Sequence, residues 1–131
     1  MTDKTEIKIN SDGIKEWYQN GFRHRTDGPA IEYPNGTKHW YQNGELHRTD
    51  GPAIEGSDGS KYWYQNGELN RTDGPAIEYP NGSKYWYQTG LRHRTDGPAI
   101  ENTDGTKDYW INGKQLTQFE IWTLFKAKCH D

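Results

Sequence analysis

A string reading Trp-Tyr-Gln-Asn-Gly, followed by His-Arg-Thr-Asp-Gly-Pro-Ala-Ile-Glu, returns every 23 residues through most of this chain. Its Trp falls at Trp17, Trp40, Trp63 and Trp86, and its Arg-x-Asp-Gly-Pro-Ala-Ile-Glu part starts at Arg25, Arg48, Arg71 and Arg94. Repetition this regular predicts an array in which each unit buries its surface against the next. It bears on function too. An enzyme brings several different groups to one place, whereas every chemically capable group here exists in several copies. The chain therefore reads as non-enzymatic, with no catalytic, cofactor-binding or metal-binding residue to nominate and no cofactor implied.

The glycines show how a unit is built. Fourteen of the 15 occupy three repeat positions: Gly13, Gly36, Gly59, Gly82 and Gly105; Gly21, Gly44, Gly67, Gly90 and Gly113; and Gly28, Gly51, Gly74 and Gly97, leaving Gly56 outside. The first two sets follow Asn, Asp or, once, Thr89, between aromatic and β-branched runs. That is the short-range signature of a two-residue hairpin turn with φ > 0 at both central positions. Two turns per unit give two strands per unit: a short one such as residues 61–65, and a longer extended run such as 68–79. The run is broken by Thr72-Asp73-Gly74-Pro75, where proline lacks an amide donor, so a bulge or turn is expected there.

An even number of strands lets every copy point the same way. The expected fold is all-β: an elongated, twisted antiparallel meander of 23-residue hairpin repeats, about ten strands at roughly 4.8 Å spacing. A β-solenoid with three short faces per coil is the alternative. Primed-turn dipeptides favour the meander, since they reverse a chain where solenoid corners only bend it. Hydrophobic residues make up 30% and aromatic residues 14%, so any core is made largely of rings. Strand alternation puts Trp63 with Lys61 and Gln65 on one face, and Tyr62 with Tyr64 on the other. Neither face is cleanly apolar, which predicts a sheet wet on both sides and held by ring and cation–ring contacts. Trp63, flanked by repeats on both sides, should matter more to stability than Trp17 near an end.

The pattern ends at the C-terminus. Thr117 to Glu120 has capping-box spacing, Leu116 and Ile121 are placed as a hydrophobic staple, and Ile121, Trp122, Leu124, Phe125 and Cys129 cluster at helical spacing. One amphipathic helix of roughly 11 residues is expected, either as a cap over the last rung or as a docking helix. The organisation is then an N-terminal strand or tail over 1–11, four to five β repeats over 12–115, and a C-terminal capping helix over 116–131.

The unit Gly-x-Lys-x-Trp-Tyr-x-Asn-Gly-x-x-x-Arg-x-Asp-Gly-Pro-Ala resembles the MORN-repeat variant, over roughly residues 12 to 125. Arrays with this wording are similar to small proteins of bacteriophages and some bacteria. The resemblance implies an elongated β-sheet scaffold for protein or lipid contact, in some cases antitoxin-like, and brings no catalytic residues. Asn70 in place of His, Thr89 in place of Asn, and the shifted Trp at Tyr109-Trp110 depart from the pattern.

Sixteen basic and 19 acidic side chains give a formal charge of −3, with no basic run to track phosphates, so nucleic acid is not an expected partner. The single Cys129 offers no internal disulfide. Residues 1–8 lack the apolar core of a signal peptide or membrane span, and a reducing cytoplasm, of a bacterium or a phage-infected one, is the expected location. Asn35-Gly36-Thr37 and Asn81-Gly82-Ser83 match the glycosylation sequon but sit where turns are needed. His24, His47 and His93 share a repeat position, yet neighbouring copies lie two strands, roughly 9.6 Å, apart, too far to share a metal. Arg25, Arg48, Arg71 and Arg94 with Asp27, Asp50, Asp73 and Asp96 read either as a stripe for carboxylates or phosphates or as local ties between ring and loop.

Trp, Tyr and Arg are the residues enriched in binding hot spots. The candidate contact surface is accordingly Trp40, Tyr41 and Arg48; Tyr62, Trp63, Tyr64 and Arg71; and Tyr85, Trp86, Tyr87 and Arg94. The expected function is binding of a protein partner, with inhibition of a bacterial host or defence factor as the concrete phage version. Carbohydrate or membrane-surface binding is the alternative. Homodimerisation by edge or helix pairing is open.

Overall fold

The computed structural model describes residues 4–125. Within them the meander is realised. One 11-stranded sheet has Thr5–Ile9, Lys15–Gln19, Ile31–Glu32, Lys38–His39, Ile54–Glu55, Lys61–Tyr62, Ile77–Glu78, Lys84–Tyr85, Ile100–Glu101 and Lys107–Asp108 side by side in chain order, with Phe22–Arg23 paired to the end of Lys15–Gln19. All the pairings are antiparallel. Past each Trp position the short strand continues into a second hairpin, as in Tyr64–Gln65 with Glu68–Leu69. Two amide bonds tie each such hairpin to the next: Arg48 N–H to Tyr64 O at 3.3 Å and Gly67 N–H to Leu46 O at 2.9 Å are one set.

The second glycine set forms the primed turns expected, with φ +50° at Asn66 and +82° at Gly67, and even Thr89 held at +46°. The first set differs. Only the glycine has positive φ, as at Gly36 (+97°) and Gly82 (+96°), and Gly36 N–H bonds Tyr33 O while Tyr33 N–H bonds Thr37 O. This is a three-residue loop with the glycine in the left-handed region. The same loop forms at Gly13, Gly59 and Gly105, where Ser11, Ser57 and Thr103 stand in place of proline, so it belongs to the repeat: a type I turn closed by a glycine in the left-handed region, one residue longer than a primed turn. Asn35 accepts from Thr37 N–H and Asn81 from Ser83 N–H, both at 2.9 Å, so the sequon asparagines are turn residues.

Register sorts the side chains onto two faces. On one, Lys15, Glu32, Lys38, Glu55, Lys61, Glu78, Lys84, Glu101 and Lys107 follow one another across the strands with alternating sign, the favourable cross-strand arrangement. On the other, Ile77 stands between Tyr62 and Tyr85, and Tyr79 meets both rings edge-on at 6.1 and 5.5 Å. Burial raises the hydroxyl pKa of Tyr64, with Tyr41, Tyr87 and Tyr79 adding to the shift. The core is thin, as a mostly polar chain requires. Ala30, Ala53, Ala76 and Ala99 are 0% exposed, Ile31, Ile77 and Ile100 are nearly so, and no large side chain among the described residues is fully enclosed. Ala53 sits where three strands meet, donating to Tyr62 O and accepting from Trp40 N–H, both at 2.7 Å. Trp17, expected to be the less enclosed ring, is only 9% exposed, because Thr5–Ile9 pairs along its outer side.

The capping box forms: Glu120 N–H bonds Thr117 Oγ1 at 3.2 Å and Thr117 N–H bonds Glu120 Oε1 at 2.9 Å. The helix it starts runs Gln118–Phe125, up to the last described residue, and the rest of the expected helix, with Cys129, lies outside the described residues. Its geometry explains the shifted Trp. Tyr109 takes the Trp position, since Leu116 N–H bonds its carbonyl as His47 N–H bonds that of Trp40. Phe125, buried at 6% exposure, packs against Tyr109 with ring centres 5.1 Å apart. Phe119, Trp122 and Leu124 point to solvent, so the helix covers the last rung through Phe125 while the expected Trp122 and Leu124 contacts are not made.

Candidate functional site

Opposite each Trp the long run bulges outward. Trp63 N–H bonds Ala76 O and Asn70 N–H bonds Trp63 O, so Arg71 to Pro75 lie opposite a single residue. The extruded loop is held by its own arginine. Arg71 lays its guanidinium on the Trp63 ring at 3.8 Å and donates from Nε to Asp73 at 2.9 Å and from one terminal nitrogen to Pro75 O and Glu78, both at 3.0 Å. Arg25, Arg48 and Arg94 repeat this on Trp17, Trp40 and Trp86 at 3.8–3.9 Å. The planar fork meets a ring, a carbonyl and two carboxylates together, a combination lysine cannot supply. Of the two sequence readings for these arginines, the local tie is the one the structure shows. The Arg25 guanidinium holds the Asp27 carboxyl below its usual range.

Stacking the rungs opens a cleft between successive bulges. The central one, about 640 Å³, has Trp63 and Gln65 with Asn70 between the Arg48–Gly51 and Arg71–Asp73 loops. Equivalent clefts of about 500 Å³ lie to either side, around Trp40 and Gln42 and around Trp86 and Gln88. Their walls are polar: the Thr residues are exposed, and the side chains of Asp50 and Asp73 are 82% exposed. The largest cleft carries Asn70 where its neighbours carry His47 and His93.

That histidine position links rungs. His24, His47 and His93 each accept, at Nδ1, the turn amide of the following rung (Asn43, Asn66 and Asn112) at 2.9–3.0 Å. Asn70 Oδ1 does the same for Thr89 at 2.8 Å, so the exchange of His for Asn preserves the bond.

The nominated residues thus divide between the two faces. Trp40, Trp63 and Trp86 with Arg48, Arg71 and Arg94 come together in the clefts. Tyr62 and Tyr85 belong to the half-buried aromatic face with Tyr41, Tyr64 and Tyr87, away from the bulges. Sequence reasoning did not nominate other groups that line the clefts, namely the half-buried Gln42 and Gln88 and the exposed Gln65, Thr49 and Thr72. The signal for the threonines was their place in an extruded, Pro-terminated loop.

Comparison with known proteins matches the chain to no family model and to no curated protein. The resemblance to the MORN-repeat variant rests on the residues quoted above alone. Among the described residues no helix is long and apolar enough to cross a membrane.

Proposed function

We propose that this protein is a non-catalytic scaffold that holds another protein along its row of clefts. The observation that carries the reading is the recurrence of one polar, solvent-open cleft at successive rungs. Such a row offers many equivalent contacts to an extended surface and nothing that converges on one reacting atom. Trp63 and Arg71 shape the central cleft, and Thr49, Asp50, Gln65 and Thr72 present its contact groups. Carbohydrate is the less favoured ligand, since an arginine covers one face of each repeat tryptophan and halves the ring surface on which a sugar could stack. The concrete version carried by the resemblance is a phage-encoded inhibitor that engages a bacterial host or defence factor in the cytoplasm.

The test is a variant that fills the central cleft without touching the Arg–Trp stack, Gln65→Trp with Thr72→Trp. A partner captured by the parent protein from the native host should be lost from this variant while its melting temperature stays within a few degrees. Undiminished capture refutes the reading, and cleft-dependent binding to a glycan array or to liposomes would replace it with the carbohydrate or membrane alternative.

A further inference from the structure

The two ends of the sheet are finished differently. At the C-terminal end a helix packs Phe125 on the last rung's ring. At the other end the outermost described strand is Thr5–Ile9, five residues long, paired on one side only. Its Ile7 and Ile9 are 55% and 65% exposed. An open, regular edge is a template for another strand, and proteins blunt or fill such edges.

The direction of its backbone groups is fixed. Asn20 N–H bonds Lys4 O, and Asn10 N–H bonds Ile14 O, so the even-numbered residues face the neighbouring strand. By alternation Thr5, Ile7 and Ile9 turn their N–H and C=O groups outward. An incoming antiparallel strand must set its own outward groups against these. For a second copy of this strand, that leaves three central registers, with Ile7 opposite the partner's Thr5, Ile7 or Ile9. The first places Glu6 against the partner's Glu6, and the last places Lys8 against the partner's Lys8. Both oppose like charges. The middle register sets Glu6 against the partner's Lys8 and Lys8 against the partner's Glu6. It also pairs Ile7 with the partner's Ile7 and Thr5 with the partner's Ile9, and it engages all three outward residues on each copy, for about six main-chain hydrogen bonds.

We propose that the protein forms a twofold-symmetric dimer through this edge, with Thr5–Ile9 antiparallel to its counterpart and Ile7 on the axis. The occupant is a second copy, because the edge is self-complementary in charge and in hydrogen-bond direction at one and the same register. The contact is isologous and closes on itself, so it yields dimers and not fibres. It also walls the incomplete end cleft, about 260 Å³, where Thr5 and Ile7 lie beside Trp17, Gln19 and Asp27. The dimer joins two rows of clefts into one continuous sheet, and it is independent of the partner-binding reading.

Sedimentation equilibrium of the full chain tests it. The parent should be dimeric, and Glu6→Lys or Lys8→Glu alone should each weaken dimerisation about tenfold, since either turns both cross-edge pairs into like-charge pairs. Combining the two substitutions in one chain should restore the dimer, because the pairs are again opposite in sign. Mixing the two single variants should likewise give a heterodimer. Lys8→Glu also sets a carboxylate opposite Glu16 and removes the Lys8 contact with the Tyr18 ring, so the two proteins that carry it should melt somewhat lower as monomers, and the dimer is compared among folded chains. A parent that stays monomeric from micromolar to millimolar concentration overturns the proposal, and so does a dimer indifferent to the charge exchange. Neither result would touch the proposed role of the clefts.

Discussion

Replacing Arg71 by alanine removes the tie of a central bulge, and its cost can be worked contact by contact. The bond to Asp73 counts least, because that carboxylate is 82% exposed and such pairs contribute about 0.2–1 kcal/mol. The Glu78 side chain is 33% exposed, which puts its pairing in the upper part of that range. The bond to Pro75 O matters more. Pro75 is buried, and an enclosed carbonyl left without its donor costs roughly 1–2 kcal/mol. The cation–ring contact at 3.8 Å adds about 0.5–1 kcal/mol. The expected loss is about 3 kcal/mol, or about 10 °C in melting temperature for a chain of this size. Arg71→Lys should recover little of it, since an ammonium cannot lie flat on the ring and reach Pro75 O and Glu78 together. Asp73→Asn should cost a small fraction as much. Urea melts followed by tryptophan fluorescence give all three values. If Arg71→Ala shifts stability by less than about 1 kcal/mol, within the range of a single exposed ion pair, or if lysine restores it fully, the bulge is not held by the arginine as described.

Gly67 and Gly56 should respond in opposite senses. Gly67 has φ +82°, so Gly67→Ala should destabilise by about 1–2 kcal/mol, whereas Gly56 lies outside the left-handed set and holds the repeat position of Tyr33 and Tyr79. Gly56→Tyr should extend the edge-to-face ring row and raise stability in thermal melts by less than about 1 kcal/mol, because its Cβ falls 2.7 Å from Asp58 Oδ1 and shifts a carboxylate that accepts from Ser60 N–H, which offsets part of the ring gain. At His39, burial and then the nearby Arg23 charge lower the pKa. The unfolded chain therefore binds this proton more readily, and the His39 contribution is present above the ordinary histidine range and lost as pH falls through it. His39→Tyr, the residue at the equivalent positions Tyr62 and Tyr85, should remove that part of the pH dependence in melts across this range. Finally, Phe125→Ala should cost about 3 kcal/mol by opening the cap, while Trp122→Ala, at a 59% exposed site, should change the melting temperature little.

The features legible in the sequence are those fixed within a few residues. Asn66-Gly67 specifies a primed turn because only such residues accept positive φ cheaply. Pro75 announces a break in the ladder because it has no amide to give. Thr117 and Glu120 start a helix through bonds three residues apart. The repeat period then dictates an even-stranded meander. The other turn shows the limit of that logic, since an Asn-Gly or Asp-Gly pair fits the last two positions of a three-residue loop as readily as a primed turn.

What the sequence left open is whatever one repeat does to another. The direction of Arg71, back onto Trp63 and not outward to a ligand, depends on the bulge having formed. The reach of His47 to the Asn66 amide joins residues 19 apart in the chain, and each cleft exists only because two bulges are held one rung apart. The outward turn of Ile7 and Ile9 likewise follows from which residues bond the neighbouring strand. Turn and helix signals are properties of backbone conformation, carried by each residue alone. Clefts and edges are properties of the spacing between chains of the sheet, and only the assembled rungs set it.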